Sequence, residues 1–245
     1  MSTQRDAAAR QEVEAGDHAR AADARARASH EDAGARPHDG ERLLLHACCG
    51  PCSLIPQKAL ADEGYDITIC YVNPNIAPRE EYEHRLRVLQ AWAGLLGIPV
   101  IEGPRDAGAW EREVARYGTN RRARCEACYR LRLRESAAIA AREGFDAMAT
   151  TLAVSPYQLL DACNRQLVRA CDEVGIRALP RDFTELYPRS VIESRELGMY
   201  RQNYCGCRFS AAEAALGRVE AREARRLERD AARVEKRALA CAART

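Results

Sequence analysis

The sequence predicts an α/β fold: a mainly parallel, five-stranded, Rossmann-like sheet with helices on both faces and a metal site at the carboxyl ends of its strands. Three observations carry that expectation. Short apolar or β-branched runs recur along the chain, and most are followed by ten or more residues at helical spacing. Strands alternating with helices build βαβ units, whose parallel sheets are covered on both faces. Cysteine and asparagine clusters terminate the first two runs, where open α/β sheets hold their ligands.

The elements follow in order. Leu43-Leu44-Leu45-His46-Ala47 reads as a buried strand that runs into the turn Cys48-Cys49-Gly50-Pro51-Cys52. Residues 53–63 have helical spacing, with Ser53 as N-cap. Gly50 is expected to supply left-handed freedom and Pro51 to stiffen the turn; Gly206 is expected to do for the second turn what Gly50 does for the first. A β-branched run over 66–72 stops at Asn73-Pro74-Asn75. Tyr82, Leu86, Leu89, Trp92 and Leu96 then fall three or four residues apart, predicting a helix over 79–96. Further strands are expected over 99–102, 147–153 and 176–179, and further helices over 110–117, 129–143 and 156–174.

The flanks differ in kind. Within residues 1–40, Val13 is the only branched aliphatic side chain, and six arginines face eight acidic residues. Too little apolar surface is present to offset ordering entropy, so this segment reads as a disordered extension. Residues 41–209 form the α/β domain. The tail over 210–245 is rich in Ala, Arg and Glu. From residue 208 onward it holds ten basic against six acidic side chains, and it reads as a charged helix packed loosely on the domain.

Composition sets limits on function. Of 245 residues, 47% are hydrophobic and 30% charged, and no apolar run approaches the ~20 residues that span a bilayer. The start of the chain has no apolar leader segment, which predicts a cytoplasmic protein with no membrane partner. The net charge of +2 is too mild to announce nucleic-acid binding.

Eleven cysteines in such a chain point to metal or redox chemistry rather than disulfides. Seven fall in three groups: Cys48, Cys49 and Cys52; the pair Cys125 and Cys128; and the pair Cys205 and Cys207 around Gly206. One CxxC alone fits zinc, a redox dithiol or a cluster. Three groups suit a cluster with a second metal, or a cluster with redox-active thiols. Cys70, Cys163, Cys171 and Cys241 are isolated and read as packing. Arg121, Arg122, Arg124, Arg130, Arg132 and Arg134 crowd the CxxC, as a solvated helix face or as a phosphate-contacting rim.

The motifs and their order resemble the QueH-type epoxyqueuosine reductases, which complete queuosine in tRNA. The resemblance rests on His46-Ala47-Cys48-Cys49-Gly50-Pro51-Cys52, on Tyr71-Val72-Asn73-Pro74-Asn75-Ile76 with Glu81, Tyr82 and Arg85, and on Cys125-Glu126-Ala127-Cys128-Tyr129. It continues through Thr150-Thr151-Leu152 and Ser155-Pro156 to Tyr200-Arg201-Gln202-Asn203-Tyr204-Cys205-Gly206-Cys207. It implies a 4Fe–4S cluster with an adjacent mononuclear iron, held by the seven grouped cysteines. Cys48, Cys49, Cys125, Cys128, Cys205 and Cys207 are then the expected cluster-binding set, and Cys48, Cys49 and Cys52 stand at the reacting centre. It further implies the tRNA anticodon stem–loop as substrate and an external low-potential electron donor. His46, Tyr129 and Tyr204 are candidate proton donors or supporting groups. Similar domains of the HUP or PP-loop type carry a phosphate loop after the first strand. A cysteine turn stands there instead, which argues against ATP chemistry. The rival readings are a zinc-stabilised nucleic-acid-binding module and a cysteine-based tRNA thiolation or thiol–disulfide exchange enzyme.

Overall fold

The computed structural model describes residues 38–242, with side chains to residue 236. The expected extension over 1–40 therefore lies, up to residue 37, outside the described residues, as does the side chain of Cys241.

Five parallel strands form the sheet in the order β3-β2-β1-β4-β5, a doubly wound arrangement. They are β1 (Arg42–His46), β2 (Asp66–Tyr71), β3 (Val100–Glu102), β4 (Ala147–Thr150) and β5 (Arg177–Ala178). Register aligns His46 of β1 with Cys70 of β2 and with Thr150 of β4, so three strands end level with one another. Strand order reverses beside β1, and the crevice between the ends of β1 and β4 is the topological switch point.

The helices are α1 (Gly50–Asp62), α2 (Arg79–Leu95), α3 (Ala107–Glu113), α4 (Arg121–Arg142), α5 (Leu160–Asp172), α6 (Tyr187–Glu196) and α7 (Arg208–Ala242). Alternation along the strands sorts the core into two faces. Leu44, Cys70 and Met148 pack with Leu133 and Ala137 of α4 and with Leu167 of α5. Leu43, Leu45, Ile67 and Ala149 point the other way and pack with Leu60 of α1, while Ile69 and Tyr71 meet Leu86, Leu89 and Trp92 of α2. Leu43, Leu44 and Leu45 are wholly buried, each contributing about 2 kcal/mol of transfer free energy.

Several boundaries differ from the expectations, each for a physical reason. Ser53 is no N-cap: α1 begins at Gly50, Cys49 occupies the cap position, and the Ser53 hydroxyl donates back to the Cys49 carbonyl at 2.8 Å. Gly50 has no positive φ and is simply the first helical residue, whereas Gly206 does adopt one, at 126°. β4 stops at Thr150 because the Thr150 hydroxyl accepts from Leu152 N–H and turns residues Thr151–Val154 into a 3-10 turn. α4 starts eight residues earlier than its apolar periodicity indicates, because the Asn120 side chain caps it through Ala123 N–H. The helix expected over 110–117 is α3 followed by a 3-10 turn, Ala115–Tyr117.

No helix was expected at α6, whose apolar residues are only Tyr187, Val191 and Ile192. It approaches α1 through small side chains, Ser190 and Ser194, and Ser190 Oγ donates to the Pro51 carbonyl at 2.6 Å. The tail is also not packed on the domain along its length. Beyond Ala214, every residue of α7 to Lys236 is exposed. Among the described residues, no helix is long and apolar enough to cross a membrane.

Because α6 is held by serines in close contact, Ser190→Leu should overpack the joint and lower unfolding free energy by about 1–3 kcal/mol. Ile192→Ala in the same helix, whose side chain is exposed, should stay within about 0.5 kcal/mol of the parent. Urea denaturation of both variants distinguishes them.

Candidate metal centre

Each cysteine group sits on the first turns of a helix. Cys49 caps α1 and Cys52 lies in its first turn; Cys125 and Cys128 are the fifth and eighth residues of α4. Cys207 immediately precedes α7, where its Sγ accepts the Ser210 N–H at 3.3 Å.

The sulfurs of Cys48, Cys49 and Cys52 lie within 4.8 Å of one another, the one group of three or more possible metal-ligating side chains among the described residues. Cys48 and Cys49 Sγ are 3.8 Å apart. The three thiols cannot all ionise unaided. Hydrogen bonds from Cys49 and Cys52 hold Cys48 well below the ordinary thiol range against the cost of burial, with the Arg132 charge assisting. The same interaction with Cys48 pushes Cys49 up to about 12, and Cys52 rises well above its usual value. One negative charge is accommodated; three require a cation among them.

Arg132 supplies the surrounding charge. It sits one turn after Cys128 on α4, is fully buried, and has no carboxylate partner among the described residues. Its Nη2 donates to Asn73 Oδ1 and its Nε to the Val72 carbonyl at 3.3 Å, while Nη1 finds no partner. Burial alone would lower its pKa; Cys128, Cys205 and Cys48 outweigh that and hold it raised. Burial also pushes Cys205 to about 12 and Cys125 to about 11, and Arg132 or Arg124 pulls each back. A buried cation ringed by thiols rather than carboxylates fits an anionic thiolate–metal assembly.

The loop carrying Cys205 and Cys207 is clamped by Arg85 of α2. That guanidinium is 1% exposed. It pairs with Glu81 at 2.7 Å, donates to the Cys205 carbonyl at 3.0 Å, and lies 5.0 Å from the centre of the Tyr204 ring. Gly206 is required here for two reasons. Its φ is 126°, and a Cβ would come 2.8 Å from Ile76 Cγ1. Its carbonyl accepts from Ala77 N–H at 3.1 Å. Beside it, Asn75 is buried with both ends of its amide unpaired. Asn73 joins the halves of the site, donating to the Ala47 carbonyl at 2.9 Å while accepting from Arg132.

His46 and Tyr129 are committed to the fold. His46 is fully buried, with Nδ1 2.8 Å from Thr150 Oγ1 and Nε2 3.3 Å from the Val72 carbonyl. Burial, then Arg132, lowers its pKa to about 3, so it stays neutral and ties three strand ends together. The Tyr129 hydroxyl donates to Gln158 at 2.8 Å and accepts from Leu159 N–H at 3.1 Å. Tyr204 is half-buried, and burial raises its pKa, so it keeps its proton. Cys70, Cys163 and Cys171 are wholly buried core residues, with burial holding each thiol at about 12.

The arginine crowd near the CxxC divides. Arg124 is 2% exposed, ion-paired to Glu213 and stacked 4.7 Å over Phe209. Arg132 lies within the candidate site, and Arg134 pairs with Glu173 at 3.2 Å. Arg121 and Arg122 are exposed and Arg130 half-buried, so any phosphate-facing rim reduces to these three. Sequence reasoning placed Asn73 and Asn75 at a strand end of the binding crevice and quoted Arg85 in a family motif, but assigned none of the three an individual task.

A family model described as "Epoxyqueuosine reductase QueH" matches residues 43–213. The chain belongs to this family. Relatives named epoxyqueuosine reductase QueH include one from Dehalococcoides mccartyi, 31% identical over 173 residues, covering 69% of this chain and 92% of the relative. Another, from Thermotoga maritima, is 31% identical over 179 residues, covering 70% and 91% respectively. A third, from Haemophilus influenzae, is 30% identical over 193 residues, covering 75% and 77%. A solved structure described as a predicted subunit of a tRNA methyltransferase from Methanocaldococcus jannaschii aligns with TM-score 0.45 at 14% identity, over 64% of this chain and 75% of its own, too loose a likeness to bear on function. Family membership covers all seven grouped cysteines and stops six residues into α7.

Gly206→Ala should cost about 2 kcal/mol or more, because it forces an L-residue into a strained φ against Ile76. Thermal unfolding measures it, and Gly217→Ala in exposed α7, where a Cβ meets nothing, should be neutral or slightly stabilising.

Proposed function

We propose that this protein reduces epoxyqueuosine to queuosine at the anticodon wobble position of tRNA, the last step in making that nucleoside. The observation that carries the reading is the pairing of a three-thiol group with a buried arginine that lacks a carboxylate, inside a chain of the epoxyqueuosine reductase family. Opening the epoxide to an alkene consumes two electrons and two protons and releases water. A 4Fe–4S cluster with an adjacent iron supplies single electrons and a Lewis-acidic position when bound.

Cys125 and Cys128 hold the cluster together with members of the other two groups, and Cys48, Cys49 and Cys52 line the reacting centre. Arg132 offsets the thiolate charge from inside the protein, and Arg85 fixes the Cys205–Cys207 loop against α2. Tyr204, which keeps its proton, is positioned by Arg85 as the candidate proton donor; His46 and Tyr129 hold the frame. The wobble base lies in a loop, where it can be unstacked and drawn to the strand ends. The electrons come from an external low-potential donor in the cytoplasm.

Anaerobically reconstituted protein, given a chemical reductant and epoxyqueuosine-containing tRNA, should yield queuosine on nucleoside digestion. Cys125→Ala should lower that yield by at least about 100-fold, the scale on which lost supporting or ligating groups act. Iron and acid-labile sulfide should accompany the parent. Stoichiometric zinc without sulfide would contradict the reading, as would queuosine formation unaffected by Cys125→Ala.

A further inference from the structure

The match to the family ends at residue 213, and the helix beyond it carries a charge pattern that the fold does not use. Arg218, Arg222, Arg225, Arg229, Arg233 and Lys236 follow one another at intervals of four, three, four, four and three residues. At about 100° per residue they fall within an arc of roughly 80°, a single row about 27 Å long. The acidic side chains Glu220, Glu223, Glu228, Asp230 and Glu235 lie at least about 60° outside that arc, on the side that also holds Leu216, Leu227 and Val234.

A solvated helix normally interleaves its charges so that Glu and Arg meet at i,i+4. This chain does so elsewhere: Arg79 with Glu83, Arg169 with Glu173, and Arg189 with Glu193. On α7 the six follow one another at i,i+3 or i,i+4, and the nearest acids, Glu228 three residues from Arg225 and Asp230 three from Arg233, lie to either side of the row. Among the described residues none of the six forms an ion pair, and all are exposed. The root of the helix is fastened from the opposite face, through Phe209 beside Trp110 and Glu213 with Arg124. The fold thus leaves the basic row wholly available, at the cost of like-charge repulsion along it.

We infer that this row is a docking strip for the phosphodiester backbone of the tRNA substrate, gripping it away from the reacting base. The inference rests on the tRNA reading above. A row of regularly spaced guanidinium groups with no acid among them matches a regularly spaced polyanion. The helix grows directly from Cys207, and Arg218 follows about 16 Å along its axis. The strip therefore lies beyond the cysteine site, at the distance of a stem rather than of the base being reduced.

The test uses the full chain, reconstituted, with the five substitutions Arg218→Gln, Arg222→Gln, Arg225→Gln, Arg229→Gln and Arg233→Gln combined. Gln keeps helix propensity, and circular dichroism verifies the helix. A control carries Glu220→Gln, Glu228→Gln and Glu235→Gln. Binding to full-length epoxyqueuosine-containing tRNA is titrated from 50 to 200 mM KCl. The strip predicts at least tenfold weaker binding of the arginine variant and a salt slope shallower by about 3 or more, since each duplex phosphate contact contributes about 0.9. KM for tRNA should rise while kcat at saturating tRNA is kept, and the control should bind at least as tightly as the parent.

Parent-like affinity and salt slope in the arginine variant overturn the inference. So does a parent that sediments as a dimer, is split by Leu227→Glu, and binds tRNA independently of the arginines, for then the helix serves a second copy of the chain. If neither parent nor variant forms queuosine, the reductase reading fails, and the titration still decides the strip. If the parent forms queuosine and the variant keeps its KM and slope, the strip alone fails.

Discussion

The constraint on which the site depends is the burial of Arg132 with no carboxylate partner among the described residues. An unpaired buried ion costs several kcal/mol, and the atoms around this one are backbone carbonyl, the Asn73 amide and thiols. Its charge is balanced only when the thiols become thiolates. They in turn cannot ionise together, as the opposed shifts of Cys48, Cys49 and Cys52 make plain. The arginine needs anions and the anions need a cation beyond the arginine. A thiolate-bound metal assembly meets both demands.

The frame that holds this balance is the switch point of the sheet. β1 delivers Cys48, β2 delivers Asn73, and β4 delivers Thr150, and His46 binds the three strand ends into one rigid edge. Because the histidine is neutral and both its nitrogens are occupied, its contribution is geometric. Arg85 performs the matching task for the only part of the site that does not come from a strand end or from α4. It closes the Cys205–Cys207 loop onto α2, where Gly206 alone fits beside Ile76. A site distributed over residues 46–207 is thereby held by two buried arginines with opposite duties: one charges the site, the other closes it.

Much of this was legible in the sequence. The parallel sheet followed from strand–helix alternation, and the close approach of Cys48, Cys49 and Cys52 followed from their spacing. The readings that failed did so where side-chain hydrogen bonding overrode apolar periodicity. Ser53 looked like a cap but Cys49 holds that position; Asn120 starts α4 two turns before its first apolar residue. α6 meets α1 through Ser190 and Ser194, which leave no hydrophobic trace, with Tyr187 at its start packed on the cluster that holds Ile55 and Phe183. The arginines near the CxxC read as one surface cluster, yet Arg124 and Arg132 are interior and serve different ends. Nothing in a residue list separates a buried arginine from a solvated one two positions away. The order of motifs could name a family, whereas the charge logic of the site required coordinates.

Iron bound per chain in Arg132→Met and Arg132→Lys, after identical anaerobic loading of folded protein, bears on this account most directly. If the buried charge sustains the thiolate assembly, Arg132→Lys retains most of the iron and sulfide of the parent, while Arg132→Met, similar in length but uncharged, loads several-fold less. Equal iron and sulfide in Arg132→Met and the parent would contradict it.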